Sequence, residues 1–113
     1  MPKSVIPKSV IQGLTIILES DTPSRTQLAY EMALVQAALG GRASLFVTGR
    51  AVPTLATPDA LCVEALAAGV KIIVCQAGLA THQLSMTDID PRVEAGGLAS
   101  LMQGLNDDRL VVV

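Results

Sequence analysis

The stretch Gly69-Val70-Lys71-Ile72-Ile73-Val74-Cys75-Gln76-Ala77-Gly78 decides the fold. Four of the six residues from Val70 to Cys75 are β-branched, and glycines close the stretch at either end. The run is too short for a helix and too continuously apolar for a strand with one wet face. It reads as a strand buried on both faces, which is the pattern of a parallel sheet covered by helices. Leu14-Thr15-Ile16-Ile17-Leu18 has the same character, set between Gly13 and Ser20-Asp21.

Working outward, the punctuation alternates between strand and helix. Thr22-Pro23 offers an N-cap followed by proline at the first helical position, and Leu28, Met32, Val35 and Leu39 recur at helical spacing until Gly40-Gly41. These four residues are expected to form the buried stripe. Ala43 to Thr48 reads as the second strand, Gly49 opens a loop, and Thr57-Pro58 starts a helix over 58–68 that stops at Gly69. Gln76 to Leu84 reads as a loop with a short helix, and Asp90-Pro91 as the start of a helix running through Gly96-Gly97 to about Gly104. Arg109 to Val113 closes the chain as a strand. Strands alternating with helices predict an α/β fold: a three-layer sandwich with a mostly parallel sheet of 4–5 strands, right-handed crossovers and helices on both faces.

Composition narrows the function classes. Of 113 residues, 50% are apolar and only 16% charged, and Tyr30 and Phe46 are the sole aromatics. So little charge poorly coats a small monomer, so a homo-oligomer with apolar interfaces is expected. The net charge is −2 and the eight Lys and Arg residues are scattered, so nucleic acid is not an expected partner. No apolar run approaches the roughly 18 residues that span a bilayer, no signal peptide is evident, and two cysteines fit a reducing cytoplasm. Residues 2–11 are a direct tandem, Pro-Lys-Ser-Val-Ile twice over, so residues 1–12 read as an arm, extended or edge-like, ahead of a single domain over 13–113.

In α/β sheets ligands gather at the carboxyl ends of the strands. Cys75 stands there, directly before Gln76-Ala77-Gly78 and a helix start whose backbone N–H groups favour a thiolate. An inert strand-end thiol is the competing reading. Cys62 falls on an apolar helix face and reads as packing; a disulfide to Cys75 would need movement across the roughly 10 Å between helix and sheet layers. His82, the one histidine, lies a short helix beyond Cys75 and is a candidate base or donor for the thiol, or else a solvated residue. Two cysteines and one histidine match no zinc pattern, so no metal is expected. The turn Glu19 to Arg25 contains no glycine, which excludes a nucleotide-binding loop. Ser24 and Arg25, with Thr26, are left as helix-start residues able to hold a small anion or merely to cap.

The order of elements, the stretch Gly69 to Gln76, and Val93-Glu94-Ala95-Gly96-Gly97 at the interval that follows make the chain resemble the DsrE/DsrF-like (YchN-like) family of sulfur relay proteins over roughly residues 13–113. The resemblance implies trimers or hexamers, no cofactor, and a persulfide carried on the strand-end cysteine, which is Cys75 here, between donor and acceptor proteins. His82 and Gln83 depart from it, standing where small or apolar residues are expected. Beside the persulfide carrier, two further functions fit the residues. One is an oligomeric small-ligand-binding or scaffold module with an inert Cys75. The other is a thiol peroxidase in which Cys62 resolves an oxidised Cys75.

Overall fold

The computed structural model describes residues 11–113, so the tandem up to Val10 lies outside the described residues. Five strands form one sheet: β1 (Leu14–Leu18), β2 (Ala43–Val47), β3 (Lys71–Cys75), β4 (Glu94–Gly96) and β5 (Arg109–Val112). All pairings are parallel, in the order β4-β3-β2-β1-β5. The helices are α1 (Pro23–Ala38), α2 (Ala60–Ala67), α3 (Gln76–Thr81) and α4 (Leu98–Gln103), and a 3-10 helix spans Gly49–Ala56. The α/β architecture with a parallel sheet is therefore as the strand pattern predicts.

Alternation along the strands gives the sheet two unlike faces. Leu14, Ile16, Leu18, Leu45, Val47, Ile72 and Val74 form the first face and are buried in the main core with Ala29, Tyr30 and Ala33 of α1 and Cys62, Ala65 and Leu66 of α2. The second face carries Thr15, Ile17, Ser44, Phe46, Lys71, Ile73 and Cys75. The register sets Val112, Ile17, Phe46, Ile73 and Glu94 side by side in one row across it. Phe46 is buried there, yet stands outside the main core cluster. Among the described residues, α4, six residues long, is the helix that lies over this face. Between α4 and the amino half of the sheet runs an open groove of about 680 Å³, whose walls include Thr15, Ser44, Ile73, Leu101, Gly104 and Leu105.

Three expectations are corrected. The stripe Leu28, Val35, Leu39 faces away from the sheet, at 49%, 59% and 64% exposure, with Met32 only partly buried. The sheet side of α1 is instead Ala29, Tyr30, Ala33 and Gln36. Small alanines let the helix approach the sheet closely, and the bulky stripe turns outward. The second helix begins at Ala60, not Pro58, because Asp59 is the effective cap: its carboxylate accepts the N–H of Cys62 at 3.0 Å. The long helix from Asp90 does not form. Asp90 closes a turn by accepting the Arg92 N–H at 2.8 Å and its guanidinium at 2.9 and 3.0 Å. The chain then pairs Glu94–Gly96 with Ile73–Cys75 as a short edge strand. Gly96 has to be small here, since a Cβ would lie 2.9 Å from Cγ2 of Ile73.

A polar network ties the amino edge of the sheet. Buried Gln36 donates from Nε2 to the carbonyls of Gln12 (2.8 Å) and Arg42 (3.1 Å) and accepts from Arg109 at 3.1 Å. Asp108 accepts from Arg42 at 2.7 Å and from the Thr15 hydroxyl at 3.2 Å. Entry to β1, the end of α1, entry to β2 and entry to β5 are thus held by two side chains. Replacing Gln36→Leu takes the side-chain donor from the Gln12 carbonyl, leaves the Arg42 carbonyl only the Leu14 N–H, and removes the acceptor of Arg109, and should cost about 1–3 kcal/mol. The check is urea denaturation, with a lower midpoint at an unchanged slope.

Candidate functional site

Cys75 is both the last residue of β3 and the N-cap of α3, in an extended conformation (φ −65°, ψ 121°), with no loop between strand and helix. Alternation places its thiol on the second face, two residues beyond Ile73. Its register partner on β4 is Gly96, which has no side chain to cover it. On the other side Val47 pairs with Val74, so Thr48 follows next in line. The thiol is half-buried and makes no capping hydrogen bond.

Gln76 opens α3 and is exposed, while Gly78 is buried. A Cβ on Gly78 would stand 2.7 Å from Cγ2 of Val52 and 3.6 Å from Cβ of Cys75, so glycine lets the first turn of α3 pack onto the 3-10 helix beside the cysteine. His82 ends α3, and its Nε2 donates to the Gly49 carbonyl at 3.1 Å, which requires the proton on Nε2. The ring braces α3 against the start of the 3-10 helix, and this hydrogen bond goes to backbone rather than to the thiol.

Cys75, Gln76, Gly78 and His82 therefore share one β3–α3 unit. Ser24 and Arg25 do not join them: both are exposed in the first turn of α1, after β1, two strands and about 10 Å across the sheet from β3. In that turn Ser20 Oγ accepts the Thr22 N–H at 3.0 Å, and Thr26 donates to the Pro23 carbonyl at 3.0 Å. Thr22 occupies the cap position without a side-chain bond.

Cys62 lies on the far side of the sheet, in the first-face core. The two thiols are free and separated by the sheet itself, which works against Cys62 as a direct resolving thiol. Burial pushes the Cys62 thiol up, only partly offset by its hydrogen bond with Tyr30. Burial, helped by Cys62 and Asp59, holds the Tyr30 phenol far above its ordinary range. Beside them is a pocket of about 220 Å³ reached by Asp21, Thr26, Thr54 and Asp59. Sequence reading missed this pocket, because nothing in the spacing of Tyr30 and Cys62 brings them together; the one local sign was Asp59 three residues before Cys62. Among the described residues no three His, Cys, Asp or Glu side chains stand together as a metal site, and no helix is long and apolar enough to cross a membrane.

Neither a family model nor a curated protein sequence matches the chain. Solved structures do match in fold. A protein of unknown function, MTH1491 from Methanobacterium thermoautotrophicum, superposes with a TM-score of 0.77 at 14% identity, covering 90% of this chain and 99% of that one. A conserved protein of unknown function, BT1422 from Bacteroides thetaiotaomicron, gives 0.76 at 16% identity, covering 93% and 97%. At such identities the likeness extends to the fold alone.

Timed alkylation of the native protein should label Cys75 well before Cys62, read by peptide mass mapping. Because the Cys62 thiol is pushed up, its labelling should stay slow through neutral pH and rise only above the ordinary thiol range. Equal rates for the two at neutral pH would contradict the assignment.

Proposed function

We propose that this protein is a sulfur relay carrier of the DsrE/DsrF-like kind, with Cys75 as the residue that bears the persulfide. The observation that carries this reading is the half-exposed thiol at the carboxyl end of β3, fixed between strand and helix, with Gly96 beside it bearing no side chain to cover it. In the reaction the Cys75 thiolate attacks the outer sulfur of a donor persulfide. The donor S–S bond breaks, the donor leaves as a thiolate, and Cys75 becomes the persulfide. An acceptor thiolate then takes the outer sulfur by the same exchange, so no oxidant, reductant or cofactor is consumed.

Gln76 and Gly78 supply the turn that holds the sulfur at the sheet edge, and His82 braces that turn through Gly49. Ser24 and Arg25 stay apart from Cys75, exposed at the start of α1, where they are placed to cap the helix or hold a small anion. Donor and acceptor are proteins of a reducing cytoplasm. The exposed apolar side chains Leu28, Val35 and Leu39 on α1, and Leu98, Met102, Leu110 and Val112 around the second face, support assembly of several copies. The family resemblance makes the number three or six. A small-ligand-binding module is the second reading, favoured by the groove of about 680 Å³ under α4.

Intact mass should show one added sulfur per chain after treatment with a persulfide donor, lost again to excess thiol. Cys75→Ser should abolish loading and Cys62→Ser should retain it. Folded, reduced wild-type protein that never loads would leave the ligand-binding reading in its place. Light scattering at micromolar concentration should give a multiple of three chain masses; a monomer would contradict the assembly.

A further inference from the structure

The PKSVI tandem is the one sequence motif that the sulfur reading leaves without a role, and the groove of about 680 Å³ under α4 is a space that it does not use. We propose that the tandem of each chain seats in that chain's own groove, between α4 and the second face of the sheet. The point where the described chain begins is the first support. Ile11 lies directly beside Gly41, a residue of the groove wall, and Gln12 is pinned there by its carbonyl to Gln36 and its side-chain amide to the Asp107 carbonyl. The described chain therefore begins at the groove's mouth.

Length is sufficient: ten extended residues reach about 33 Å, whereas β1 to β4 is three strand spacings, about 14 Å. The pattern also fits a slot with two walls. In an extended chain Val5, Pro7 and Ile11 fall on one side and Ile6 and Val10 on the other. The repeat of five, an odd number, puts the two valines on opposite sides, and likewise the two isoleucines of the tandem. One wall of the groove offers Ile73 of the sheet, the other Leu101 and Leu105 at and beyond α4. Prolines at 2 and 7 bring two fewer backbone donors to bury.

The rim is unusually bare. Gly40, Gly69 and Gly97 all line the groove, and a Cβ on any of them would meet nothing within 4 Å. The first two need glycine for their positive φ of 87°, but Gly97 has φ −126°, which any residue adopts. Room for another segment of chain explains a glycine there. The proposal is independent of the sulfur reading, and both measurements below can be made on Cys75→Ser protein.

The test uses the full chain. A fluorescent synthetic peptide PKSVIPKSVI should bind at least tenfold more tightly to the Val5→Asp, Ile6→Asp, Val10→Asp variant, whose own arm is expelled, than to wild type, whose groove is filled. Adding Gly97→Trp should remove that binding. Equal binding to both proteins, or to neither, overturns the proposal. In parallel, zero-length crosslinking in a mixture of isotopically light and heavy wild-type protein should join Lys3 or Lys8 to groove carboxylates, Glu94 or Asp108, of the same isotope. Mixed light–heavy pairs would show the arm of a second copy in the groove, and absence of any such crosslink would show neither; each overturns the same-chain assignment.

Discussion

A parallel sheet exposes two apolar faces and needs helices on both, and this chain divides its helices unequally. The sixteen residues of α1 and the eight of α2 cover the first face, while α4 brings six to the second. Much else depends on that imbalance. The first face makes a dense aliphatic core. The second keeps Phe46 buried in a row of its own, leaves a groove under α4, and leaves Leu98, Met102, Leu110 and Val112 in solvent. Cys75 is accessible for the same reason: its side chain points to the face that is not fully covered.

How much of this was legible depends on which scale of pattern carried it. Strands 14–18, 43–47 and 71–75 were readable as near-continuous apolar runs set between glycines or polar turns, although β3, expected to be buried on both faces, is fully covered on the first face alone, with Lys71 exposed and Ile73 and Cys75 half-buried. The orientation of α1 was not, because periodicity of large residues finds a stripe without saying what lies against it; Ala29 and Ala33, which do face the sheet, add little to any hydrophobic count. The segment from Asp90 was misread because Asp-Pro followed by Val-Glu-Ala looks like a helix start. The stronger interaction was the Asp90 carboxylate with Arg92, which holds a turn and keeps Asp90 ionised down to about 2. Pairing with β3 then took the next residues.

The candidate site was legible where it is local. Cys75, Gln76 and Gly78 come from one junction of strand and helix, and adjacency in sequence is adjacency in space. His82 lies on the same unit, but its hydrogen bond to Gly49 depends on where the 3-10 helix falls, which spacing does not encode. Tyr30 beside Cys62, and Gln36 reaching Gln12, Arg42 and Arg109, are contacts across the fold, and only the packed arrangement reveals them.

The sheet order places β5, the last of the five described strands, against β1, the first of them. During synthesis β1 emerges early, and its pairing edge toward β5 has no partner until Arg109–Val112 has left the ribosome. The Thr15–Asp108 hydrogen bond closes a separation of 93 residues, so it waits for every element between β1 and β5. Loop closure of that size is a late and slow event in folding. A chain in which Arg109–Val112 has not yet paired with β1 displays an open strand edge of the kind that chaperones bind.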